Sequence, residues 1–225
     1  MSIRTTLLGV FVAASLAACQ TPSQRPVNLA KDKIGAQTGR VGVVMSDIKT
    51  DLYLPGADCL LCIGVATMAN TSLNVYSKTL KSDELQQVKG ELVEILRKKG
   101  VEATVVDAPV AIRDLPKLSL GANMATRDFA SFKDRFDHLI VIEVNKLGFE
   151  RGYRAYVPTG PARATLQGSA YMVDLKTNAY EWYDVLTLWK GADGQWDEAP
   201  AFPGLTSAYY QAIEMGKDRV KQPFN

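Results

Sequence analysis

The chain has 225 residues, 47% hydrophobic and 22% charged, with a formal net charge of +2 at pH 7. This is an ordinary globular composition, long enough for one domain of moderate size and requiring no second. Charges of both signs are mixed throughout, so no concentrated basic face is available for nucleic acid. The nearest approach, Arg97-Lys98-Lys99, ends a helical pattern, where cations complement the helix dipole.

Arg4 is the single charge of the first six residues, and Leu7 to Ala18 is a run of twelve apolar or small residues. A positive start, an apolar middle and small residues at the cut describe a secretory signal. The run is too short to span a bilayer, which takes about 20 residues. Leu16-Ala17-Ala18-Cys19 resembles the lipobox of bacterial lipoproteins. The resemblance implies removal of residues 1–18, a diacylglycerol and a palmitate-type acyl chain on Cys19, and stable anchoring through more than one chain. Gln20 after the cysteine, in place of the familiar Asp, implies the outer membrane with the domain facing the periplasm. Residues 19–39 are polar and carry Pro22, Pro26, Gly35 and Gly39. They read as a flexible tether, with an r.m.s. reach of about 25 Å and about 70 Å fully drawn out.

The globular domain is expected over 40–225. Arg40 to Met45 is a short β-branched run and reads as a buried first strand. A loop is expected over 51–58, then a short helix over Cys59 to Ala69 laid against the sheet. Leu85, Val88, Leu92, Ile95 and Leu96 fall at helical spacing, with Ser82 placed to cap and Gly100 placed to stop the helix. Val101 to Val106 follows as a strand. Residues 109–138 have weak periodicity, with a turn of helix near Ser131 to Phe136. Leu139 to Val144 is a continuous aliphatic run, expected as a central strand covered on both faces. Ala164 to Leu175 and Tyr180 to Trp189 flank Lys176-Thr177-Asn178-Ala179, where Asn178 can take a positive φ, so a hairpin is expected. Leu205, Tyr209, Ile213 and Val220 mark a closing helix.

The fold class is therefore α/β, α+β-like, with a single mixed sheet of about four to five strands and two main helices packed on it, on one face. The aliphatic strand, then Val173-Asp174-Leu175-Lys176-Thr177-Asn178 leading into Glu181-Trp182-Tyr183, resembles a pattern in the curli-secretion lipoprotein and the amino-terminal domain of TolB. In those families the turn carries Gly where this chain has Asn178. The resemblance implies a fold and no activity.

Cys59-Leu60-Leu61-Cys62 is open to several readings: a local disulfide, two packed small side chains, a redox pair, a metal site or an intermolecular bridge. Zinc in a structural site wants four ligands, and the chain offers no second cysteine pair and the single histidine His138. Asp137 is placed to orient His138 as a base, but a lone histidine is not a mechanism. No nucleophile elbow, phosphate loop, dinucleotide fingerprint or zinc helix is present. No catalytic residue, metal or cofactor is expected, and the sequence favours a non-enzymatic role. Phe149, Arg151, Tyr153, Arg154 and Tyr156 fall on an irregular segment with Gly152, Gly160 and two prolines. That is the composition of a partner-binding hot spot and equally of an exposed hairpin beside an edge strand. The function expected is a membrane-tethered envelope lipoprotein that binds a protein partner or self-assembles. The alternatives are a thiol-disulfide protein using Cys59 and Cys62, or a carrier of a small ligand or lipid.

Overall fold

A computed structural model describes residues 24–225. Cys19 and the expected export signal, residues 1–18, lie outside the described residues. The main sheet has six strands: β1 (Arg40–Met45), β2 (Thr50–Tyr53), β3 (Glu102–Val105), β4 (His138–Glu150), β7 (Arg163–Asp174) and β8 (Tyr180–Gly191). The order is β3-β1-β4-β7-β8, with β2 also paired to β4. A small hairpin of β5 (Tyr153–Arg154) and β6 (Val157–Pro158) stands apart. β1, β2 and β3 join in parallel, whereas β4, β7 and β8 form an antiparallel meander. The α+β class is as the sequence implies.

β4 is the axis of the molecule. It continues past the aliphatic run because the register shifts between Val144 and Lys146, after which Leu147 and Phe149 again face the core. β1 covers its first half and β2 its second, so two short parallel strands share one edge of a long one. The loop expected over 51–58 therefore begins with a strand. Four residues with intermediate burial carry no alternating pattern, and only the free edge of β4 makes them a strand.

Among the described residues there are five α-helices: α1 (Leu60–Ala69), α2 (Thr71–Ser77), α3 (Asp83–Gln86), α4 (Val88–Lys98) and α5 (Pro203–Lys221). α4 and α5 lie on one face of the sheet. Val88, Leu92, Val93 and Leu96 of α4 meet Leu205, Tyr209, Ala212 and Ile213 of α5 over Ile140, Ile142 and Met172. Gly100, at φ 82°, ends the first of these helices as its position foretells. The opposite face is covered by the irregular segment after β3. Ile112, Ala125, Phe129 and Phe136 pack there on Leu139, Val141, Tyr171 and Val173. Both faces of β4 are thus buried, which accounts for its unbroken aliphatic run.

The tether reading needs correction over 24–39. Val27 exchanges backbone hydrogen bonds with Tyr183 at 2.9 Å each, along the outer edge of β8. Leu29 and Ile34 pack on the core, and two 3-10 turns span Lys31–Lys33 and Ala36–Thr38. Polar composition concealed this docking because the segment is held by backbone pairing and three apolar side chains, Val27, Leu29 and Ile34.

Candidate functional site

From Cys59 to Ser77 the chain carries no charged residue. Within that stretch α1 forms at the carboxyl end of β4, beyond the sheet. Its start is capped by Cys59, whose Sγ accepts a hydrogen bond from the Cys62 amide at 2.9 Å, and Cys59 and Cys62 are joined as a disulfide. Its end is fixed by Asn70, which donates to the Ala66 carbonyl at 2.7 Å and to the Tyr153 hydroxyl at 2.6 Å. Arg151 Nη1 donates to Asn70 Oδ1 at 2.9 Å, and its guanidinium lies 4.5 Å above the Trp196 ring. Gly56, at φ 86°, brings the preceding loop against the Tyr153 carbonyl, where any side chain would collide.

Only Cys62 and Ala66 of α1 are buried, against Ala57 and Tyr153. The helix expected to lie on the sheet instead stands clear of it. Leu60 is 93% exposed, Met68 80% and Leu61 72%, with Ile63 and Val65 exposed beside them. Val75 on α2, and Tyr156 and Val157 on the neighbouring hairpin, are exposed too. A helix apolar all round is normally buried. The five exposed α1 side chains present on the order of 600 Å² of apolar surface, the upper end for a monomer. Two such faces packed together would cover about 1,200 Å², where specific interfaces begin.

The five residues expected as a hot spot are divided by the fold. Phe149 is fully buried in the main core, stacked near Tyr76 and edge-on to Tyr209. Tyr153 is buried under α1, and Arg151 clips Asn70 and Trp196 together. Arg154 and Tyr156 are exposed, and Arg151 is half-buried. The correction follows from the length of β4, which carries Phe149 into the sheet. The signal that marks the surface was elsewhere, in the uncharged run from Cys59 to Ser77. The Cys59–Cys62 pair stands at a helix amino terminus with Cys59 exposed and Cys62 buried.

Other parts of the molecule offer less. Asp137 receives hydrogen bonds from Arg40, which hold its carboxyl below the usual range, so it serves Arg40 and not His138. Among the described residues, metal-ligating types gather at His138, Asp174 and Glu181, at the end of the sheet opposite α1. No helix among the described residues is long and apolar enough to cross a membrane.

No family model matches the chain, and no curated protein matches it. Similar solved structures include the PelC dodecamer from Paraburkholderia phytofirmans, at 12% identity and TM-score 0.37, covering 89% of this chain and 94% of that one. Protein XCC0632 from Xanthomonas campestris, assigned to DUF330, is 12% identical at TM-score 0.41, covering 88% of this chain and 90% of that one. At that overlap the likeness carries no functional weight.

Proposed function

We propose that this chain is a lipid-anchored, non-enzymatic envelope protein that docks a protein partner, another copy included, through α1. The observation that carries the reading is the uncharged, apolar helix standing clear of the sheet, five of its apolar side chains exposed, with its ends fixed by a disulfide and by Asn70. Rigid ends matter because an ordered helix loses little conformational freedom on binding.

The docked amino-terminal segment shapes the reading further. Used as a leash from acyl chains on Cys19, the residues from Cys19 to Gln24 could reach at most about 18 Å. Gln24 hydrogen-bonds Asn123, which in turn accepts from the Tyr180 amide, so the leash leaves from the His138 end of the sheet. α1 stands beyond the other end of β4, about 30 Å from the Val27 pairing along a strand rise of about 3.3 Å per residue. An anchor at one end and an apolar helix at the other suit a protein held on a membrane that presents α1 away from it.

Cross-linking in intact cells, followed by purification through a carboxy-terminal tag and mass spectrometry, tests this, with Cys19→Ser as the untethered control. One envelope protein, or the chain itself, should be recovered in near-stoichiometric amount and be lost in the control. Recovery of no discrete protein contradicts the reading. A second reading, thiol-disulfide exchange, is favoured by the exposed Cys59 and buried Cys62 at the start of α1. It requires that Cys59→Ser abolish exchange with a model disulfide while the fold persists.

A further inference from the structure

We propose that His138, Asp174 and Glu181 form a binding site for a divalent transition-metal ion of the zinc class. Three neighbouring strands supply them. His138 opens β4 and is paired directly with Asp174, the last residue of β7. Glu181 is the extra residue of a bulge in β8, where Met172 pairs Trp182 but Val173 pairs Tyr180. A bulge re-aims the side chain it carries, and this one turns Glu181 towards His138 and Asp174. The three ligand atoms lie within 4.8 Å of one another.

Hydrogen bonding accounts for only part of the cluster. Glu181 is 9% exposed in its side chain, and its Oε2 has no hydrogen-bond partner. His138 Nδ1 is also buried and without a partner, although it is the other ring nitrogen, Nε2, that faces Glu181. Asn178 Oδ1, in the adjoining turn, is the third such atom, so all three orphans found among the described residues lie at this end of the sheet. Buried polar groups are nearly always satisfied, and an unfilled ion position is a standard reason for an exception. His138 Nε2 and Glu181 Oε2 are 3.5 Å apart. That is long for a hydrogen bond but close to the spacing of about 3.4 Å between two ligands of one tetrahedral zinc. Asp174 Oδ1 accepts from the Lys176 and Thr177 amides at 2.7 and 3.0 Å, which fixes its carboxylate in place. One imidazole with two carboxylates suits zinc, nickel or copper better than magnesium or calcium, which take oxygen alone.

Lys33 supplies a built-in competitor. Its ammonium donates to Glu181 Oε1 at 2.9 Å, leaving Oε2 for the cluster. Lys33 belongs to the docked segment just after the leash, so metal binding and the seating of that segment are coupled through Glu181. The solvent side of the cluster is bordered by Lys133, Phe136, Asp137 and Lys176.

The test uses the full chain purified in detergent through a tag without histidine, stripped with a chelator and titrated with zinc alone by calorimetry. The chain has one histidine, so its imidazole signals in NMR report on this site and no other. Roughly one zinc should bind per chain and shift those signals. His138→Asn and Glu181→Gln should each weaken binding by about tenfold or more, and Lys33→Met should tighten it. Zinc that leaves the imidazole signals unmoved, or binds equally well to His138→Asn, overturns the proposal. So does Lys33→Met leaving the affinity unchanged. Should either ligand variant fail to fold, the wild-type imidazole signals and Lys33→Met decide the matter by themselves.

Discussion

Replacing Leu61 and Met68 together by glutamate separates binding from folding at α1. Both side chains already face water in the folded chain, at 72% and 80% exposure, so folding gains little from either. Each change should alter stability by no more than about 0.5 kcal/mol, since both new residues are good helix formers. In a docked complex the same side chains would be covered. Fully burying a leucine or methionine contributes about 1.5–3 kcal/mol, so the pair should contribute about 3 kcal/mol after scaling for exposure. Loss of that contribution weakens association by at least about 100-fold, before the cost of burying two carboxylates. Phe149→Ala is the contrasting control. It empties a fully buried position and should cost about 3–5 kcal/mol of stability. Thermal melting and sedimentation velocity on the purified chain and its recovered partner read the two effects separately. A fall in melting temperature beyond about 5 °C in the double variant would show that α1 is part of the core. Undiminished association would show that α1 is not the docking face.

Gly56→Ala should cost about 2–4 kcal/mol in chemical denaturation, because φ is 86° and the new methyl meets the Tyr153 carbonyl; an unchanged midpoint refutes the clash. The disulfide closes a loop of only a few residues, so Cys59→Ala with Cys62→Ala should cost about 2 kcal/mol and leave far-UV circular dichroism unchanged. Complete unfolding of that double variant would give the bridge a larger role than α1 allows. Glu91 links α4 to α5 through Lys217 at 2.8 Å and Lys221 at 2.7 Å. Burial pushes Glu91 up, but the hydrogen bonds from Lys217 and Lys221 outweigh it and hold the carboxyl below its ordinary 4.5; both lysines are raised above 10.5 chiefly by bonding to Glu91. The depressed carboxyl gives stability present above pH 4.5 and lost as pH falls through its folded value. The raised lysines give stability present below pH 10.5 and lost as pH rises through theirs. Glu91→Gln should therefore cost about 1–2 kcal/mol at pH 7, with the difference from wild type shrinking below pH 4 in urea melts.

What could be read from the sequence was whatever a single segment encodes by itself. β1 is found at Arg40–Met45 as its β-branched run implies, and Asn178 takes φ 61° in the turn between β7 and β8. Val88, Leu92 and Leu96 placed α4 because periodicity is local. β2 was missed because Thr50–Tyr53 is made a strand by the free edge of β4, a partner about 100 residues away. Phe149 is buried and not part of an exposed hot spot because a bulge, which has no sequence mark here, lets β4 run six residues past Val144. The apolar residues of α1 face solvent and not the sheet, and nothing local says whether a hydrophobic helix finds a core or a partner. His138, Asp174 and Glu181 lie far apart in sequence, and only strand pairing and the bulge at Glu181 bring them together.

The most direct measurement places a photo-crosslinking amino acid at Leu61 in the full-length chain in living cells, with the same probe at exposed Arg154 and Lys176 for comparison. The account predicts a discrete protein adduct from Leu61 and none from Lys176, at the end proposed to face the membrane. Adducts to lipid alone, or the same yield from all three positions, would contradict it.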